Sequence, residues 1–309
     1  MQENYPVVSI IIPAYNMADL TAQTVESILA QTYKNIEIIV VDDGSKDKTR
    51  ERMLSFDDKI KYVYKENGGA CSARNVGIRM AQGEYIGLID CDDLYLPNKV
   101  ELCVNFLEKN PGCGFVYTDA YYIDINNQMI RRHSYARSKI SGWIKEKLII
   151  SNVICNSTVI LRKDCLEKTG LFDETIFPPA DWDMWLKLSE HFKAGYIDQP
   201  LTKYRVTSSG CFNNMETTRR ESLIVLDNFF RRNPDVSQRI KSKAYSRFHL
   251  SMVFYYIVVG DTKRLKEEYR QSISQNPFNL KAILLYFYYL LARENLKKRI
   301  AGHYYFMNV

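Results

Sequence analysis

The sequence predicts an α/β fold, an open, mostly parallel sheet flanked by helices, with a mainly helical C-terminal region. Three observations lead there. Short β-branched runs alternate with helical segments over the first part of the chain. The polar, chemistry-bearing residues fall directly after those runs, at the strand ends where open α/β sheets bind ligands. From about Glu216 the pattern becomes helical, with Tyr- and Leu-rich segments.

Val7 to Ile12 and Ile36 to Val41 are continuous apolar runs of strand length, suited to strands buried on both faces. The helix between them is expected to start with Asp19 as N-cap and to turn Leu20, Val25, Ile28 and Leu29 inward. A third strand is expected at Lys61 to Tyr64, then a helix from Ala70 to Ala81 closed by Gly83. The next strand, Tyr85 to Ile89, ends in carboxylates. Pro97 suits the first position of a helix running to about Asn110, where Asn110, Pro111 and Gly112 stop it. Beyond Ile140 the pattern is less regular. A boundary near residue 215 divides an expected domain 1–215 from a helical region 216–309, with helical segments at Leu250 to Val259 and Leu280 to Leu291.

With 309 residues, 46% of them hydrophobic, the chain can bury a sizeable core, which excludes a disordered or fibrous class. No apolar stretch reaches the roughly 18 residues of a spanning helix. Met1 to Pro6 is polar and the run after it lacks a basic leader, so no export signal is read. Seven scattered cysteines (Cys71, Cys91, Cys103, Cys113, Cys155, Cys165 and Cys211) show neither zinc-ligand spacing nor a disulfide scaffold, and imply a reduced, cytoplasmic setting. Charge is uneven: residues 1–230 hold 27 Lys and Arg against 31 Asp and Glu, whereas residues 231–309 hold 15 against 5. A basic tail with interleaved aromatics suits peripheral contact with the inner face of a membrane, or an acidic partner; a solvated helical face or a homodimer contact are the alternatives. Nucleic acid is not expected as a partner.

Four constellations carry chemistry. Pro13-Ala14-Tyr15-Asn16 follows the first strand and Asp42-Asp43-Gly44-Ser45 the second. A base could stack on Tyr15 while a carboxylate accepts from a ring N–H; an ordinary Asp-Gly-Ser turn with Tyr15 as packing is the plain alternative. Asn67 to Gly77 opens glycines into a helix bearing Arg74, whose guanidinium and amides could hold a phosphate or a base edge. Dinucleotide and P-loop spacings are absent, which excludes a dehydrogenase or P-loop enzyme. Asp90-Cys91-Asp92-Asp93 gathers three carboxylates after an apolar strand, a costly arrangement that suits Mg²⁺ or Mn²⁺ bridging substrate phosphates; it could also be a solvated turn with Asp93 capping the next helix. In Asp181-Trp182-Asp183-Met184-Trp185, Asp181 at a helix start could act as a general base or merely cap, and Asp183 reads as structural.

In this order the segments Val8 to Asn16, Ile38 to Ser45, Asn67 to Gly77, Ile89 to Asp93 and Asp181 to Asp183 resemble an inverting family 2 glycosyltransferase with a GT-A fold, over about the first 210 residues. The resemblance implies that Pro13, Ala14 and Tyr15, with Asp42 and Asp43, hold the nucleotide base of the donor, Asp43 being the carboxylate on it, and that Asn16 also binds the donor nucleotide. It implies that Arg74 reaches the base or diphosphate, that Asp90 faces the ribose and Cys91 the donor nucleotide, and that Asp92 binds Mn²⁺ or Mg²⁺, with Asp90 and Asp93 as further candidates. Asp181 matches the catalytic base. The implied donor is a nucleoside diphosphate sugar, a UDP-sugar foremost, and the implied acceptor a hydroxyl of a glycan or lipid-linked saccharide. Ala180 stands where the family often has an acidic residue, and Thr207 where many members carry histidine. Gly170-Leu171-Phe172-Asp173 resembles a segment near the acceptor but also reads as a packed turn. A catalytically silent sugar-nucleotide-binding module would share the donor residues and differ in not needing Asp181. A nucleotidyltransferase would need a glycine-rich, basic triphosphate loop near the N-terminus, and none is there.

Overall fold

The computed structural model describes residues 5–132, 140–206, 215–287 and 289. The chain divides into two compact units, Met1–Lys145 with Val153–Glu221, and Glu146–Asn152 with Ser222–Val309. In the first unit, β1 (Val8–Ala14), α1 (Ala18–Leu29), β2 (Ile36–Asp42), α2 (Thr49–Leu54), β3 (Lys61–Tyr64), α3 (Ala70–Met80) and β4 (Tyr85–Leu88) follow one another. They are joined by β5 (Leu94–Tyr95), α4 (Lys99–Lys109), β6 (Cys113–Ile123) and β7 (Met129–Arg132). After a short turn of helix, α5 (Lys145–Leu148), come β8 (Ile160–Arg162), α6 (Cys165–Thr169), α7 (Ala180–His191) and β9 (Lys193–Arg205).

The strands form one open sheet in the order β3-β2-β1-β4-β8-β6-β9-β5, with β7 on β6. The β3-β2-β1-β4 half is parallel, as the alternating pattern requires. β8 enters antiparallel between β4 and β6, and β6 and β9 pair in parallel along most of their length. β1 and β2 are nearly solid with buried Ile and Val because helices cover both faces. The expected α/β class, with an open sheet flanked by helices and a helical C-terminal region, is the one observed.

Local expectations needed correction where partners are distant. The N-cap position of α1 is Met17, and Asp47 from the next loop accepts from Ala18 N–H at 3.1 Å, so Asp19 merely lies in the first turn. Leu29 is exposed, while Thr21 and Thr24 are buried, their hydroxyls returned to backbone carbonyls at Met17, Leu20, Cys91 and Asp93. Gly83 does not close α3. It lies against β1, where a Cβ would sit 2.6 Å from the Val7 carbonyl oxygen. Pro97 precedes rather than opens α4, which begins at Lys99. Gly77 lets α3 press on β1, since a Cβ there would meet Ile11 Cγ2 at 2.5 Å.

The second unit is helical: α8 (Met215–Arg232) leads into it, followed by α9 (Gln238–Val259) and α10 (Thr262–Gln275), with further helix over 280–287. Ser237 caps α9, Gly260 ends it in the left-handed conformation, and Asp261 caps α10. Buried polar groups between α9 and α10 are mutually satisfied, His249 Nδ1 with Glu268 Oε2 at 2.6 Å and Ser246 with Ser272 at 3.1 Å. Among the described residues no helix is long and apolar enough to cross a membrane.

Candidate active site

The parallel register of β1, β2 and β4 brings the segments after each strand to one edge of the sheet. Pro13 and Ala14 are buried in the end of β1, and the Ala14 carbonyl accepts from Asp43 N–H at 2.8 Å. Tyr15 is 46% exposed, leaving its ring open for stacking. Asn16 takes a positive φ of 52° and latches the two loops: its N–H donates to Ser45 Oγ at 2.9 Å, and its Oδ1 accepts from Lys46 N–H at 2.7 Å.

The two adjacent carboxylates separate. Asp42 is fully buried and engaged within the fold, accepting from Ser45 N–H at 2.8 Å and Tyr62 O–H at 2.6 Å. Asp43 accepts from Lys65 Nζ at 2.7 Å and from the N–H groups of Gly68 and Gly69 at 3.0 and 2.7 Å. It thereby fixes the glycine turn that opens α3. Three donors occupy a carboxylate with about four lone-pair positions, leaving room for one more.

Arg74, one turn into α3, donates to Asp90 Oδ1 at 2.5 Å and lies 5.5 Å over the Phe172 ring. Asn156 Nδ2 donates to the same Asp90 oxygen at 3.0 Å, and Asp90 N–H donates to Ser157 Oγ at 3.0 Å. Around this cluster two buried polar atoms, Arg74 Nε and Asn156 Oδ1, have no hydrogen-bond partner among the described residues. Cys91 turns into the core against Met17, 3.7 Å between sulfurs. Burial and the neighbouring carboxylates Asp92 and Asp90 push its thiol up to about 12. The side chain of Cys91 therefore packs in the core.

Asp93 is consumed internally. Its carboxylate accepts from Ser157 O–H and from Arg205 N–H, the latter at 2.8 Å, and burial followed by the charges of Asp92 and Asp90 raises its pKa well above the carboxylate range. Asp92 stands apart from that arrangement. Burial first, then Asp90, pushes its carboxyl up to about 6, and no side chain hydrogen-bonds to it among the described residues. Such a group gains from a divalent cation, so its chemistry fits one. No group of three or more His, Cys, Asp or Glu among the described residues is arranged to hold a metal ion.

Asp181 sits in the first turn of α7, with Oδ1 accepting from Trp182 N–H at 2.7 Å. Burial, opposed by that bond and by the Arg74 charge, pushes its carboxyl up to about 6. Asp90 also acts on it electrostatically, which puts Asp181 in the same field as the Arg74–Asp90 pair. Trp185 is fully buried and meets Phe115 and Phe172 as a core ring. Trp182 is likewise buried, and Asp183 pairs with Lys187 one turn on, at 2.6 Å. In the Gly170 to Asp173 segment Phe172 is buried and held to α3: Asn75 Nδ2 donates to the Phe172 carbonyl at 2.9 Å and Asn75 Oδ1 accepts from Phe172 N–H at 3.0 Å. Thr207 lies outside the described residues.

Three residues of this cluster were not singled out from the sequence. Asn156 and Ser157 bind the two carboxylates, and their signal was a polar triplet ahead of the apolar Val159-Ile160-Leu161 run. Arg205, buried at the end of β9, donates through Nε to the Asp92 carbonyl at 2.7 Å and through Nη1 to the Asp124 and Ile125 carbonyls at 3.0 and 3.2 Å. It clamps the acidic turn to the end of the β6 strand.

This arrangement has relatives. The sequence profile described as Glycosyl transferase family 2 matches residues 9–169. An uncharacterized glycosyltransferase of Rickettsia typhi is 41% identical over 222 residues, 68% of this chain and 69% of the relative. The UDP-Glc:alpha-D-GlcNAc-diphosphoundecaprenol beta-1,3-glucosyltransferase WfgD of Escherichia coli is 31% identical over 267 residues, 83% of this chain and 94% of the relative. Among solved structures, the mannosyltransferase PcManGT of Pyrobaculum calidifontis in complex with GDP-Man and Mn²⁺ superposes with a TM-score of 0.67 at 18% identity, over 99% of this chain and 86% of that one, a likeness of fold. With the profile spanning more than half of its residues and the strand-end loops built as described, this chain is a glycosyltransferase of family 2.

Proposed function

We propose that the chain is an inverting, metal-dependent transferase of the GT-A type that moves a sugar from a nucleoside diphosphate sugar to a hydroxyl of a glycan or lipid-linked saccharide. One observation carries the reading: the desolvated Asp181 carboxyl, poised near 6, lies in the field of the Arg74–Asp90 pair. A base and a donor-anchoring cluster in one place suit direct displacement. The acceptor hydroxyl attacks the anomeric carbon from the face opposite the diphosphate. Its proton passes to Asp181, the new C–O bond forms as the bond to the diphosphate oxygen breaks, and the electron pair leaves with the nucleoside diphosphate.

Tyr15 stacks on the base, and the remaining acceptor position of Asp43 receives a ring N–H. Arg74 and Asn156 offer one orphan donor and one orphan acceptor beside Asp90, a pairing that suits donor hydroxyls or phosphate oxygens. A divalent cation held by Asp92, when bound, would offset the charge growing on the leaving diphosphate. Two relatives support the substrates by their names: the Escherichia coli enzyme for a UDP-sugar and a lipid-linked acceptor, the Pyrobaculum calidifontis enzyme for a GDP-sugar and Mn²⁺. The UDP-sugar is preferred because the sequence relative is the closer in identity. The reading is tested by nucleoside diphosphate release from a panel of donors with Mn²⁺ or Mg²⁺. Turnover of one donor, lost with Asp92→Ala and with Asp181→Asn, supports it. Donor binding with no turnover in the native chain across a broad acceptor mixture would point instead to a binding module.

A further inference from the structure

We infer that the second unit docks on an anionic lipid surface through the outward side of the helix over 280–287. That helix is apolar on both sides. Ala282 and Tyr289 are buried and Tyr286 stacks on Tyr269 of α10, ring centroids 4.1 Å apart, so its inward face is already spent on packing. Leu280, Leu284 and Phe287 recur at i, i+4 and i+7, which puts them within about 60° of one another on the opposite side. They are 69%, 67% and 60% exposed, and Phe278, in the turn before them, is 88% exposed. Four large apolar side chains grouped on one helix and its entry turn are a patch rather than scattered surface residues.

Charge selects the occupant. Residues 231–309 hold 15 Lys and Arg against 5 Asp and Glu, and the exposed Lys281 directly follows Leu280. Two copies meeting through this patch would bring two strongly basic segments together, whereas an anionic bilayer surface meets both the apolar side chains and the charge. No described helix can span a membrane, so the contact is interfacial. The docking is independent of the transfer chemistry proposed above, and its test reads no turnover.

The full chain is sedimented with phosphatidylglycerol–phosphatidylcholine vesicles and with phosphatidylcholine alone, at low and high salt, alongside a Leu284→Asn/Phe287→Asn double variant. Both positions are exposed, so circular dichroism of the variant should match the native chain. A Phe287→Trp variant provides a second readout through a blue shift of its added emission on anionic vesicles. The expected result is binding to anionic vesicles that falls at least about tenfold in the double variant and again at high salt, with the blue shift present. The inference is overturned by no binding to anionic vesicles at low salt. Equal binding of native chain and double variant overturns it too, as does a native dimer that the double variant splits while neither binds vesicles.

Discussion

Replacing Asp181 by Asn should make the protein more stable and nearly inactive, and the two effects should share one pH dependence. The carboxyl's pKa is raised from its ordinary 3.8 to about 6, chiefly by burial. A carboxylate raised in the fold binds its proton more tightly folded than unfolded. Its ionisation therefore costs nothing below pH about 4, costs progressively more between about 4 and 6, and weighs fully above about 6. At about 1.4 kcal/mol per pKa unit the penalty reaches up to about 3 kcal/mol, and roughly half that if water screens the accessible part of the side chain. Asparagine keeps the oxygen that accepts from Trp182 N–H and carries no charge, so it escapes the penalty. Urea unfolding should show Asp181→Asn more stable than the native chain at pH 7.5 and level with it near pH 4. Over the same range native turnover should rise with pH through about 6, as the base ionises, while the variant loses about 10² to 10⁴-fold in turnover with donor affinity kept. A stability gain of equal size at both pH values, or turnover within a few fold of native, would refute the reasoning.

Asp92→Ala should abolish the response of turnover to added Mn²⁺ or Mg²⁺, and chelation should bring the native chain down to the variant's rate; a native rate unchanged by chelator would contradict this. Arg205→Met removes the clamp on the Asp92, Asp124 and Ile125 carbonyls, and should lower unfolding free energy by about 3 kcal/mol and turnover with it, read by denaturation and by rate. Gly77→Ala forces a methyl group to within 2.5 Å of Ile11 Cγ2 and should cost about 1 to 3 kcal/mol by thermal melting, because α3 cannot back away from β1 without moving Arg74.

The parallel half of the sheet was legible because its signals are local. Val8–Ala14 and Ile36–Asp42 are apolar runs whose ends are marked by Pro13-Ala14-Tyr15-Asn16 and Asp42-Asp43-Gly44-Ser45, and each lies next to its partner after one short helix. The antiparallel insertion of β8 and the long β6–β9 pair were not legible, since Cys113–Ile123 finds its partner some 80 residues away and buries Thr118 and Asp119 in mid-strand. Asp119 is tolerated there because Arg132 pairs with it at 2.5 Å, a contact that no local pattern announces. Within the site, the residue types were readable but their division of labour was not. Asp42, Asp43, Asp90, Asp92 and Asp93 look alike in sequence. Only tertiary contacts separate Asp42 and Asp93, committed to the fold, from Asp43 and Asp90, which hold the site together, and from Asp92, which no side chain among the described residues hydrogen-bonds.

The most direct test of displacement by an Asp181-activated hydroxyl is the stereochemistry of the product. Once a donor is found in the panel, its known anomeric configuration is compared with that of the new linkage by proton NMR, using the H1–H2 coupling. A single displacement assisted by Asp181 gives inversion, a β-linked product from an α-linked nucleoside diphosphate glucose. Retention of configuration would contradict the mechanism and remove Asp181 from its role as base.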